Sequence, residues 1–273
     1  MTHEFAQING YPLRYRIGGE GPLVVFGHGL LGSIEQVDPF EGALDYVLER
    51  VRLLIYDARG HGQSSGPEDP AGYTWETLGR DMAAFIDHAG EERAIIGGAS
   101  MGAATALWVA IEQPHRAKAL ALLMPPPLGH EPLRAQEEKQ AIQALDLLSA
   151  AVKNFGIDQT VQLAKGFPGF AASPEEAEQR ADWLLRQNPL TLLYAVRGLI
   201  SAPFHDPEAY RQIRIPTIVV AHEGDALHPV RAAKLLKENI PDCELIVAPE
   251  PRHWQNHPDE FLKEMTRFID RVG

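Results

Sequence analysis

The chain has one cysteine in 273 residues, Cys243, so no internal disulfide can form. It is short of positive charge: 25 Lys and Arg stand against 37 Asp and Glu, a formal net charge of −12. That balance disfavours nucleic acid and anionic membrane surfaces as partners, although solubility alone would also account for it. No apolar run approaches the length of a membrane span, and Met1-Thr2-His3-Glu4-Phe5 contains no basic segment leading into an apolar core. A cytoplasmic location is therefore expected. Neither G-x-x-x-x-G-K-[ST] nor G-x-G-x-x-G occurs in the glycine-rich segment near residue 30, and the His, Cys and carboxylate positions lack metal-site spacing. We therefore expect no cofactor and no metal. There is no internal repeat and no low-complexity tract.

What is present is a core. Hydrophobic residues make up 45% of the chain, enough for one α/β domain with an insertion. Asn9-Gly10, between Phe5–Ile8 and Tyr11–Tyr15, is a hairpin signal. After it, strand-like runs at 22–26, 51–56, 94–97, 119–124, 216–222 and 244–248 alternate with helical stripes such as Leu78, Met82, Phe85, Ile86 and Ala89. Such alternation requires a parallel sheet with helices on both faces. From about 128 to 213 the pattern is helical throughout, with stripes at Ile142, Leu145, Leu148 and Val152 and helix starts at Ser173-Pro174-Glu175-Glu176 and Asn188-Pro189. At the end of the chain Phe261, Met265, Phe268, Ile269 and Val272 share one face, as expected of a helix packed on the sheet.

The segment with most chemical content is Gly98-Ala99-Ser100-Met101-Gly102. It lies between a strand-like run and an almost wholly apolar helix, and its small residues permit the strained backbone of a nucleophile elbow. A serine hydroxyl is a poor nucleophile at neutral pH and needs an imidazole to take its proton, with a carboxylate to orient that imidazole. The carboxylate is expected at the end of a later strand, where Glu223-Gly224-Asp225 follows the run to His222. Asp225 is assigned because Gly224 turns the chain back over the sheet edge; Glu223 is the competitor, and capping of the helix near Pro229 the structural alternative. The histidine is expected one strand later, in the loop Pro249–Trp254, and is assigned to His253, with His257 as the competitor. The negative charge of a tetrahedral intermediate would fall to the N–H groups of Met101, after the serine, and of Leu30, in the loop Gly27-His28-Gly29-Leu30-Leu31-Gly32. His28 is read as a brace of that loop.

With His28-Gly29 after the third strand, Asp57-Ala58-Arg59-Gly60-His61-Gly62-Gln63-Ser64 after the fourth, the elbow at Ser100, and Asp225 with His253 near the end, the chain resembles the α/β-hydrolase family over nearly its whole length. The resemblance implies a mostly parallel, twisted eight-stranded sheet with helices on both faces. It divides the chain into core segments at 1–127 and 214–273 and a helical cap at 128–213. Asp57 and Arg59 are then braces of a turn, and Phe167, Phe170, Trp183 and Tyr194 are candidates to line the cap's pocket or, alternatively, to pack helix against core. Within the family the pattern is most similar to the esterase, enol-lactonase and cofactor-free haloperoxidase (perhydrolase) group. Ser100 argues against epoxide hydrolases and haloalkane dehalogenases, which carry Asp at the elbow. Gly29-Leu30-Leu31-Gly32-Ser33 differs from the G-x-G-P-G loop of carbon–carbon bond hydrolases. The implied activity is hydrolysis of a small-molecule ester or lactone. Perhydrolysis and carbon–carbon cleavage on the same triad, and a non-enzymatic receptor of this fold, are the alternatives.

Overall fold

A computed structural model describes residues 2–36, 48–126, 136–166, 173–225, 227–250 and 253–273. Eight strands form one sheet: β1 (Glu4–Ile8), β2 (Tyr11–Gly18), β3 (Leu23–Gly27), β4 (Arg52–Tyr56), β5 (Ala94–Ala99), β6 (Ala117–Leu123), β7 (Thr217–His222) and β8 (Cys243–Ala248). Their order is β1-β2-β4-β3-β5-β6-β7-β8. Strand β2 runs antiparallel to β1 and β4, and β3 to β8 are mutually parallel. The first hairpin closes through Asn9 and Gly10, both at positive φ (46° and 89°), the conformation that the Asn-Gly pair favours.

Side chains that alternate along the strands feed two core layers. Leu54 and Tyr56 of β4, with Val219 and Ala221 of β7, join a layer shared with α1 (Trp75–His88), α2 (Met101–Glu112) and α7 (Val230–Asn239). Leu53 and Ile55, with Ile218 and Val220, face the other way and meet Met265 and Phe268 of the terminal helix α9 (Pro258–Val272). Helix α1 starts on a reciprocal cap, Thr74 accepting from the Thr77 N–H while the Thr77 hydroxyl accepts from the Thr74 N–H. The single cysteine, Cys243, is buried at the start of β8.

Between β6 and β7 the described residues contain no strand. They form α3 (Gln136–Phe155), α4 (Ile157–Lys165), α5 (Pro174–Leu185), a π-helical turn (Thr191–Ala195) and α6 (Val196–Ser201). Ser173 caps α5 by accepting from the Glu176 N–H, with Pro174 in the first turn. Leu145, Leu148 and Val152 of the α3 stripe pack together with Leu192 and Val196. Trp183 packs among these helices and Tyr194 against the main core, while Phe167 and Phe170 lie outside the described residues. The helical segment is tied to the sheet by Asn188, whose Nδ2 donates to the carbonyls of Gly62 and Ser64 at 3.1 Å each, and by the Thr191 hydroxyl, which donates to the Gly60 carbonyl. Among the described residues no helix is long and apolar enough to cross a membrane.

Candidate active site

Ser100 sits between β5 and α2 with φ 50° and ψ −109°, a conformation that costs a non-glycine residue on the order of 1–3 kcal/mol. The surroundings hold it there. Its N–H donates to the Leu123 carbonyl (2.9 Å), its carbonyl accepts from the Ala104 N–H (3.0 Å), and the next N–H but one, of Gly102, donates to the His28 carbonyl (3.0 Å). Gly102 has no room for a side chain: a Cβ there would lie 2.1 Å from the Gly27 carbonyl oxygen. This close approach sets the start of α2 against the end of β3.

Beyond β3 the chain turns through Gly29–Gly32, with the Gly32 N–H donating to the Gly29 carbonyl at 2.9 Å and Leu31 at φ 62°. Gly29 lies directly against Ser100, since a Cβ on it would be 3.5 Å from the Ser100 Cβ. The loop containing Leu30 therefore adjoins the serine. Met101, as the first residue of α2, has an N–H with no intrahelical acceptor.

His28 braces this loop, as its position in the sequence suggests. Its Nδ1–H donates to the Gly29 carbonyl (2.7 Å) and its Nε2 accepts from the Ala58 N–H (2.9 Å), which fixes a neutral tautomer. Burial pushes its pKa below the ordinary histidine value and outweighs the opposing bond to Gly29 and the charges of Asp57 and Glu35. The turn after β4 is held as firmly. Asp57, fully buried, accepts from the N–H groups of Ile34 (2.8 Å) and Gln63 (2.9 Å), and Arg59 meets Asp81 of α1 through two bonds of 2.6 Å.

After β7, Gly224 at φ 79° turns the chain and brings Asp225 toward Ser100, leaving Glu223 exposed. The carboxylate Oδ1 accepts from the N–H groups of Leu227 (2.8 Å) and His228 (3.1 Å), and Oδ2 lies 2.7 Å from Nδ1 of the His228 ring. Burial of Asp225 pushes its pKa up. That effect is outweighed by the His228 ring bond, by the charge of His228 and by the two backbone N–H groups, so the pKa is lowered to about 2. His228 Nε2 is 2.8 Å from the Ser100 hydroxyl oxygen. With the ring proton on Nδ1 facing the carboxylate, Nε2 is free to accept the serine proton.

His253, expected to fill this place, lies elsewhere in the structure. His253 opens a single helical turn, α8 (His253–Asn256), with Nε2 3.1 Å from Glu260 of α9 and its ring packed on Trp254 and His257. Trp254 packs against the second core layer and beside Phe261, which fixes the turn and directs His253 toward α9. His257 precedes α9, 3.7 Å from Glu260. The residue that sequence reasoning passed over is His228. A usable signal was present, because a carboxylate that accepts the N–H groups of residues i+2 and i+3 draws the side chain of residue i+3 alongside itself.

Ser100 and Asp225 are thus brought together through one imidazole, and the loop of Leu30 lies beside them. Such an array can move a proton off a hydroxyl and stabilise the imidazolium that results. Among the described residues no group of three or more His, Cys, Asp or Glu could hold a metal ion.

The family model for the alpha/beta hydrolase fold matches residues 22–259. The chain belongs to the α/β-hydrolase family. Among curated relatives, the 2-(acetamidomethylene)succinate hydrolase of Mesorhizobium japonicum is 29% identical, with 94% of this chain and 91% of that protein covered. The 3-oxoadipate enol-lactonase 2 of Acinetobacter baylyi is 28% identical, with 96% and 94% covered. Among solved structures, a hydrolase from Pseudomonas aeruginosa superposes with a TM-score of 0.78 at 25% identity, over 98% of each chain.

Proposed function

We propose that the protein hydrolyses a small carboxylic ester or lactone through an acyl-enzyme on Ser100. The 2.8 Å contact between the Ser100 hydroxyl and His228, itself bonded to Asp225, carries this reading. In the first step the Ser100 oxygen bonds to the substrate carbonyl carbon and its proton passes to His228 Nε2. The N–H groups of Leu30 and Met101 receive the negative oxygen. The carbonyl carbon to alkoxide bond then breaks, and the leaving oxygen takes the proton from His228. Water, losing a proton to the same nitrogen, then bonds to the acyl carbon; the bond from that carbon to the Ser100 oxygen breaks, the serine oxygen takes the proton back from His228, and the acid leaves. No step requires a metal or a cofactor. The enol-lactonase relative supports an ester or lactone substrate, and residues 128–213 would act as a cap that shapes its pocket.

A second reading gives the base role to His253. One observation favours it: β7 and β8 pair so that His222 lies opposite Ala248, and the loops carrying Asp225 and His253 therefore leave the sheet at the same level. Both readings share Ser100 and Asp225.

The experiment is release of p-nitrophenol from short acyl esters by the parent and by Ser100→Ala. The variant is expected to fold and to retain less than about a thousandth of the parent kcat. Retention of more would remove Ser100 from the nucleophile role.

A further inference from the structure

The last part of the helical segment meets the body of the protein on the turn after β4. Asn188 Oδ1 accepts from the Leu190 N–H at 3.0 Å, and its Nδ2 donates to two carbonyls of that turn, Gly62 and Ser64, at 3.1 Å each. Further on, the hydroxyl of the buried Thr191 donates to the Gly60 carbonyl. Thr191 opens the π-helical turn, in which the Val196 N–H donates back to the Thr191 carbonyl. Such turns are rare and occur most often at functional sites. Helix α6 then sits directly on backbone, since a Cβ on Gly198 would lie 2.3 Å from the Pro70 carbonyl oxygen and 2.7 Å from that of Tyr73.

From Gly60 a run of hydrogen bonds leads to the loop beside the serine. The His61 N–H closes the turn on the Ala58 carbonyl (2.9 Å), the Ala58 N–H donates to His28 Nε2 (2.9 Å), and His28 Nδ1–H donates to the Gly29 carbonyl (2.7 Å). The His61 and His28 rings also lie together, with centroids 5.2 Å apart. Gly29 lies against Ser100 and precedes Leu30. The same helical segment reaches this loop a second time, through Leu192 and Val196, which pack with Leu31. Residues 188–196 therefore hold the loop by two routes, one polar and one apolar.

We propose that Asn188 and Thr191 are positioning residues for the oxyanion loop. By fixing the carbonyls of Gly60, Gly62 and Ser64 they hold the turn that carries Ala58 and, through His28, the place of the Leu30 N–H. This rests on the acyl-enzyme reading above, in which that N–H receives the negative oxygen. An oxyanion donor acts on the oxygen as it stands after attack, more than on the carbonyl before it. Loss of the polar clasp therefore weakens binding of the tetrahedral state and spares binding of the ground state.

The test compares two inhibitors of similar shape, an alkyl trifluoromethyl ketone and the corresponding methyl ketone, against p-nitrophenyl ester hydrolysis. Ser100 adds to the first: its oxygen bonds to the carbonyl carbon, its proton passes to His228, and the ketone oxygen becomes an alkoxide in the oxyanion position. The methyl ketone binds without addition. In Thr191→Val, which keeps the shape and removes the donor, the trifluoromethyl ketone is expected to bind roughly tenfold more weakly, and kcat/KM to fall in proportion. The methyl ketone should stay within about twofold of its parent affinity. Asn188→Ala should behave in the same way and serves where Thr191→Val does not fold, as judged by thermal midpoint. Thr191→Ser, which retains the hydroxyl, should bind both ketones like the parent. The proposal is overturned if the Val and Ala variants bind both ketones as the parent does, or if both ketones weaken alike, since the clasp would then shape the pocket and not the donors. A parent that binds the two ketones equally, or an active Ser100→Ala variant, would instead remove the acyl-enzyme reading itself.

Discussion

Asp225 grips His228 twice, taking its backbone N–H on Oδ1 at 3.1 Å and its ring Nδ1–H on Oδ2 at 2.7 Å. The two stand three positions apart in the chain, so the orienting carboxylate and the imidazole are fixed by one local turn rather than by two distant loops.

A carboxylate bound in this way carries a pH signature. The pKa of Asp225 is lowered from 3.8 to about 2 in the folded chain. The stability it contributes is fully present above the ordinary value and is lost as pH falls toward the folded one. Thermal midpoints of the parent and of Asp225→Asn should differ most at neutral pH. The gap should close as the buffer moves from about pH 4 to about pH 2. A gap that stays constant over that range would show that the Asp225 contacts do not stabilise its ionised form.

The buried pair of Arg59 and Asp81 connects the turn after β4 to α1, and Asn9 also donates to Asp81 at 2.8 Å. Asp81→Ala leaves a buried guanidinium without its counter-charge. Urea denaturation should show a loss of about 3–5 kcal/mol. A loss below about 1 kcal/mol would mean that water or another acceptor replaces the carboxylate.

The helical segment reaches the site through the Leu30–Leu31 turn. Leu31, at positive φ, packs in one cluster with Val152, Leu192 and Val196, and Leu30 lies against the same cluster. Leu192→Ala should destabilise the fold by about 2–5 kcal/mol. It should also lower kcat more than it raises KM, because the loop that carries the proposed oxyanion donor, the Leu30 N–H, loses its packing. An unchanged kcat in a folded variant would uncouple the helices from that loop.

Much of this arrangement can be read in the residues alone. Each strand lies close to its apolar run, Asn9-Gly10 turns as its composition requires, and the small residues around Ser100 make the elbow. The close approach of Gly102 to Gly27 follows from the same logic, since a side chain there has nowhere to go. The histidine did not follow. Chain order placed it in the loop after β8, whereas Trp254 is held by the second core layer and carries His253 toward Glu260. Asp225 meanwhile draws in His228 by purely local bonding. The ties from Asn188 and Thr191 to the carbonyls of Gly60, Gly62 and Ser64 were invisible, because they join a side chain to backbone more than 120 residues away and leave no periodic trace.

The central claim is that the imidazole of His228 takes the proton of Ser100. The most direct test is the rate at which a fluorophosphonate labels Ser100 in the parent, His228→Ala and His253→Ala proteins, all confirmed as folded. Labelling should slow by about a hundredfold or more in His228→Ala, and His253→Ala should keep pace with the parent. The reverse pattern, with His253→Ala unreactive and His228→Ala labelled at the parent rate, would contradict the account and return the base to the loop after β8.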